Sequence, residues 1–185
     1  MQIRLYQLFL RTYRWTQCRA GGSYDENGSG KFNDITPELL SKLASDMAIY
    51  AVWYTCILRH GTKATFGEIE GDNPAIVKGE AGSPYAVKYY FDVAPELACN
   101  ISERMQEFEA LVKRTHDAGM KVIIDFIPNH VFREYKSENH DSLNRTNFYS
   151  MNGPLQLPNE IEGDSSYIEN PAYATGNDFF SCTTG

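Results

Sequence analysis

The run Lys121-Val122-Ile123-Ile124-Asp125-Phe126-Ile127 leads directly into Pro128-Asn129-His130, so an apolar segment ends in an acid, an amide and an imidazole. A carboxylate on a buried strand is costly unless something partners it. Those three groups are therefore candidates for holding a polar ligand. A plainer reading stands beside that one: a structural Asp bonded to backbone N–H groups, followed by a Pro-Asn turn. The second candidate is Tyr85, within Gly79-Glu80-Ala81-Gly82-Ser83-Pro84-Tyr85-Ala86-Val87. Held by a stiff Gly-Ser-Pro turn, its ring could stack on a sugar, or it could simply pack its loop onto the body of the protein.

The elements that must position these residues alternate. Ile3 to Leu10 is rich in β formers and reads as a first strand. Gly and Asn turn signals follow, and Thr36-Pro37-Glu38 then opens a helix, with Thr as cap, Pro in the first position and Glu at the positive end. Leu39, Leu40, Leu43 and Met47 give it one apolar face. Ala51-Val52-Trp53-Tyr54-Thr55 is a continuous apolar run of the kind buried on both faces, a second strand. After a long loop, Asn100 and Glu103 have capping-box spacing; Met105, Phe108 and Val112 form a buried stripe flanked by Leu111, and Gly119 suits a left-handed cap. The third strand is Lys121 to Ile127, stopped by Pro128. The order β-α-β-loop-α-β predicts an α/β fold of parallel strands with helical crossovers, whose ligands meet the C-terminal strand ends. From residue 129 onward no periodicity persists, which sets an organisational boundary near residue 130.

Composition narrows the function classes. With 42% hydrophobic and 22% charged residues the chain is of the globular type. Its 17 Lys and Arg against 24 Asp and Glu, with no basic stripe, argue against nucleic acid as a partner. No apolar run has the length of a membrane span, and the start Met1-Gln2-Ile3-Arg4 lacks the features of a secretory signal, so the expectation is no membrane association and a cytoplasmic location. Cys18, Cys56, Cys99 and Cys182 are scattered, without metal-site spacing, and favour free thiols over an extracellular disulfide scheme. No glycine-rich phosphate loop follows the first strand, which ranks a nucleotide-binding domain last.

The segment Asp125-Phe126-Ile127-Pro128-Asn129-His130 at the end of a third parallel strand resembles the first conserved region of the α-amylase family, glycoside hydrolase family 13. Ile3 to Arg11, Gly30-Lys31-Phe32-Asn33-Asp34-Ile35, Trp53-Tyr54-Thr55, Gly82 to Lys88, Gly119 to Phe126 and the tail Ala174-Thr175-Gly176-Asn177-Asp178 add to it. The resemblance implies an α/β fold, a partial (β/α)8 TIM barrel of three strand–helix units over residues 1–130. The inserted small domain that follows strand three would begin at 131–185. It also implies action on α-glucans, maltooligosaccharides or α-glucosides with retention of configuration. By matched position, Tyr85 would stack on the sugar at the cleavage point, His130 would bond its hydroxyls and Asp125 would brace the centre. Asn129 would hold the inserted domain, in many members through calcium, with tail oxygens such as Asn177 or Asp178 as further ligands; calcium takes six to eight oxygens.

Retaining glycosidases need two carboxyl groups about 5–5.5 Å apart. In the family these, with a third carboxylate, follow strands four, five and seven, and no Gly-x-Arg-x-Asp segment occurs in this sequence. The expectation is that no catalytic nucleophile or acid/base lies in this chain, and that it is an N-terminal fragment inactive alone. The alternative is a stand-alone, non-catalytic glucan-binding module. Within the matched part, Tyr89 and Ala94 stand where the family pattern has acids. Ala48 stands where it has Gly, at a cost on the order of 1 kcal/mol if that site needs a positive φ.

Overall fold

The computed structural model describes residues 3–13, 28–127, 130–132 and 181–183. Its regular elements are β1 (Leu5–Phe9), α1 (Pro37–Ser45), β2 (Ala51–Thr55), β3 (Leu58–His60), β4 (Val87–Val93), α2 (Arg104–Asp117), β5 (Lys121–Ile124), β6 (His130–Phe132) and β7 (Ser181–Thr183). Two compact units divide them, one of residues 1–58 and 92–126, the other of 59–91 and 127–185.

The first unit is built on a parallel sheet in the order β1-β2-β5. Leu5 pairs with Ala51 and Phe9 with Thr55 on one side of β2; Ala51 pairs with Lys121 and Tyr54 with Ile124 on the other. The central strand is buried at Ala51, Val52, Tyr54 and Thr55, which is why its sequence is an unbroken apolar run rather than an alternation. Both connections pass through helices, as parallel pairing requires.

The Thr36 hydroxyl accepts from Leu39 N at 3.3 Å, and Pro37 occupies the first helical position. The Glu38 carboxyl is held below its usual range by hydrogen bonding to its own backbone and to Thr36. Leu40 and Leu43 are buried. Met47, expected on the same face, lies beyond the helix end and is exposed, because the chain turns out at Ala48 with φ 52° and breaks the 3.6-residue period. A glycine there would sit without strain.

The second helix departs from expectation at both its start and its stripe. Asn100 caps a short 3-10 turn, accepting from Ser102 N, and α2 proper begins at Arg104. The carboxylate that reaches back is that of Glu107 rather than Glu103. It accepts from Cys99 N at 2.9 Å, Asn100 N at 2.6 Å and Asn33 Nδ2 at 3.1 Å. Leu111 and Thr115 are the fully buried positions, while Met105, Phe108 and Val112 are only partly covered. Thr115 is tolerated there because its hydroxyl donates to Leu111 O at 2.9 Å and meets the Tyr54 hydroxyl at 2.7 Å. Arg114 ties the helix to the turn before α1 by donating to Phe32 O and Ile35 O. Gly119 has φ 80°, as a left-handed cap requires.

A buried ion pair, Arg11 to Glu96 at 3.2 Å, and a half-buried one in which Arg104 donates to both Asp92 oxygens complete the polar frame of this unit. The third strand is shorter than the sequence suggests. The β5 ladder ends at Ile124 instead of Ile127, and beyond it Phe126 is 71% exposed. Only β2 pairs with β5 among the described strands, so its side chains stay half open.

In the second unit β3 pairs with β4, and β6 runs parallel to β7 with His130 opposite Ser181. These strands lie where the sequence reads as loop and irregular tail; β3, β6 and β7, of three residues each, carry too little pattern to be seen, and the seven residues of β4 read as part of a long loop. Ile76, Val77, Ala86 and Phe132 form a small core. Two glycines allow the chain to close on it. A Cβ at Gly61 would lie 2.3 Å from the Phe132 ring, and one at Gly82, with φ 67°, would lie 1.8 Å from Gly61 O. Asp72 is buried, pairs with Lys88 and accepts from Thr62 N at 2.9 Å.

Candidate functional site

Asp125 follows directly after the last paired residue of β5, at the C-terminal end of the parallel sheet. There the backbone ladder gives way to a side-chain clamp. Trp53 Nε1 donates to Asp125 Oδ1 at 2.7 Å, and Cys56 N donates to Oδ2 at 3.1 Å. Both donors come from the neighbouring stretch of chain, Trp53 from the middle of β2 and Cys56 from the position just after it. Cys56 has φ 64°, a left-handed conformation uncommon for a residue with a side chain. The cost of placing a carboxylate at the end of this sheet is therefore offset by one indole and one backbone N–H, each in a charge-assisted bond.

Tyr85 lies in the second unit on a turn closed by Ala86 N to Ser83 O at 3.0 Å and by Tyr85 N to Ser83 Oγ at 3.3 Å. Its neighbours Ala86 and Val87 are buried, while Tyr85 itself is 45% exposed. One turn of chain thus anchors itself through the small apolar residues, and the Tyr85 side chain stays half-exposed. Phe91, further along, is exposed to a similar degree.

Tyr89, which stands in place of an acid, is buried under the Arg59 guanidinium, 4.3 Å from the ring centroid. A cation–π contact thus replaces the ion pair that an acid would make there. Ala94 is fully buried, and its N–H bonds Ile57 O at 2.8 Å. The Tyr90 hydroxyl donates to Ile127 O, tying β4 to the segment that leads into His130.

His130 begins β6 and belongs to the same compact unit as Tyr85, whereas Asp125 belongs to the other. Asn129, Asn177 and Asp178 lie outside the described residues. Among the described residues, no group of three or more His, Cys, Asp or Glu side chains is arranged to hold a metal ion. No described helix is long and apolar enough to cross a membrane.

The sequence reading missed Trp53 as a partner of Asp125. The signal was there: an indole N–H in an otherwise apolar strand needs an acceptor when it is partly buried. What it could not supply was the register that sets Trp53 opposite Ile123, two residues before the acid.

Residues 24–170 match the family model described as alpha amylase, catalytic domain. Among curated proteins, the chain is 26% identical over 175 residues to the amino acid transporter heavy chain SLC3A1 of Mus musculus, covering 88% of this chain and 21% of that one. It is 26% identical over 131 residues to Maltase 1 of Drosophila virilis, covering 71% and 16%. An alpha-amylase crystal structure from Lactobacillus plantarum aligns with a TM-score of 0.49 at 26% identity, covering 71% of this chain and 24% of that one. The chain therefore spans only about a fifth of the length of the curated relatives it matches. With the family model spanning most of its length, the chain belongs to the α-amylase catalytic-domain family.

Proposed function

We propose that this chain is the N-terminal part of an α-amylase-like retaining glycoside hydrolase, comprising the first strand–helix units of its (β/α)8 barrel and the start of the segment inserted after the third. Its role is to hold an α-glucan or α-glucoside rather than to cleave one. Tyr85 offers a ring face to the sugar, His130 bonds hydroxyls, and Asp125 braces the strand ends. The observation that carries this reading is the clamped carboxylate: in a family-matched chain, Asp125 sits at the C-terminal end of a parallel strand with a donor on each oxygen. Family chemistry needs two further carboxyl groups about 5–5.5 Å apart, and those are assigned to later strands. No step is assigned to calcium, because Asn129 and the tail oxygens that would hold it lie outside the described residues.

Calorimetric titration of the full chain with maltooligosaccharides, alongside a reducing-sugar assay, tests the reading. Binding without product release is expected. Product release by this chain alone would overturn the assignment of the catalytic acids to later strands, and failure to bind would overturn the glucan assignment. A second reading, a non-catalytic glucan-binding module, is favoured by the exposed Tyr85 ring. It differs in requiring cooperative unfolding of the isolated, monomeric chain.

A further inference from the structure

We infer that Trp53 is a positioning residue, whose indole N–H sets the orientation of the Asp125 carboxylate and through it the ligand-facing end of the sheet. This rests on the glucan-binding reading above.

The packing of β2 does not call for an indole at position 53. Ala51, Val52, Tyr54 and Thr55 are buried and fill the space around the strand, whereas Trp53 is only half-buried. What distinguishes Trp from the other large apolar side chains at this place is its single donor, and that donor is spent on Asp125 Oδ1 at 2.7 Å. The opposite oxygen is fixed at 3.1 Å by Cys56 N, from the same stretch of chain. With one donor on each oxygen the carboxylate cannot rotate without breaking a bond. Each oxygen nevertheless keeps capacity for another hydrogen bond, since an ionised carboxylate has about four acceptor sites. Asp125 thus becomes a fixed acceptor for donors approaching the strand ends. The clamp also continues the β2–β5 pairing one residue past its last backbone pair, Tyr54 with Ile124.

The chain has two tryptophans, Trp15 and Trp53, so its indole N–H resonances are few enough to assign with Trp53→Phe. In 15N-labelled full chain, the Trp53 indole proton, assigned by its loss in Trp53→Phe, is expected at the downfield position of an indole bonded to a carboxylate. Asp125→Asn should move it upfield. An indole resonance unaffected by Asp125→Asn would overturn the proposal even if Trp53→Phe failed to fold.

In the maltooligosaccharide titration, Trp53→Phe should weaken affinity roughly tenfold, the scale of one lost hydrogen bond. The same change in an Asp125→Ala background should have almost no effect, because the group it acts through is gone. Equal losses in both backgrounds would mean a merely structural role and overturn the proposal. If the unaltered chain binds no oligosaccharide, the glucan reading falls, and the response of the indole resonance to Asp125→Asn by itself still decides the clamp.

Discussion

The hydroxyls of Tyr54 and Thr115 meet 2.7 Å apart in the core of the first unit, joining the central strand to the second helix. Thr115 uses its own proton on Leu111 O, which leaves Tyr54 as the donor between them. Burial pushes the Tyr54 phenol up from its usual 10 to about 12, outweighing the nearby Arg114 charge, which favours ionisation. Because the folded value is the higher one, the unfolded chain loses this proton first. The phenol's contribution is intact below about pH 10 and is lost as pH rises towards 12. Denaturant unfolding between pH 9 and pH 12 (a window set by that shift) should show the stability advantage of the wild type over Tyr54→Phe, roughly 1 kcal/mol near neutrality, shrinking with pH. A pH-independent difference would mean that Tyr54 is not held neutral.

Ala48 is exposed and has φ 52°. Ala48→Gly relieves the left-handed strain without giving up any buried surface, and should stabilise the chain by about 1 kcal/mol in denaturant unfolding. Cys56, at φ 64°, is buried, so Cys56→Gly trades relief of strain against lost packing and should come out near neutral. Its N–H remains to hold Asp125, and the Trp53 indole resonance should therefore stay in place.

Removing one partner of the Arg11–Glu96 pair leaves a charge in a site where the two side chains are only 10% and 1% exposed. Arg11→Met should cost about 3 kcal/mol, measured as a lower denaturation midpoint at unchanged slope. A loss below about 0.5 kcal/mol would show that water reaches Glu96 readily.

Gly82→Ala places a methyl group against Gly61 O at a positive φ. It should destabilise the second unit by more than 2 kcal/mol, seen as faster hydrogen exchange at amides of 61–63, 72 and 86. The parallel sheet of the first unit should keep its protection.

Tyr85→Ala removes a half-exposed ring from a turn whose anchors, Ala86 and Val87, stay buried. The melting temperature should change by no more than about 1 °C, while maltooligosaccharide affinity falls roughly tenfold. Unchanged affinity would remove Tyr85 from the site.

Much of this molecule could be read in one dimension. The unbroken apolar run at 51–55, the Thr36-Pro37 opening of α1 and the left-handed Gly119 are local consequences of side-chain type, because strand burial, capping and backbone sterics act over a few residues. The Asp125 segment and the Tyr85 turn stood out for the same reason. Ala48 stands where the family pattern has Gly, and its φ of 52° is one that glycine adopts without strain.

Tertiary structure decided the rest. Which face of α2 is buried most deeply depends on what it packs against, so Leu111 and Thr115 are its fully buried positions while Met105 and Phe108 pack against the core only partly covered. Glu107 rather than Glu103 caps that helix because three donors converge on it from 33, 99 and 100. The role of Trp53 depends on strand register, which brings it within 2.7 Å of a carboxylate 72 positions away. Residue type and spacing determined that an acid would end the third strand; only the pairing of that strand with its neighbour decided which groups hold it, because hydrogen-bond partners are chosen by proximity in space.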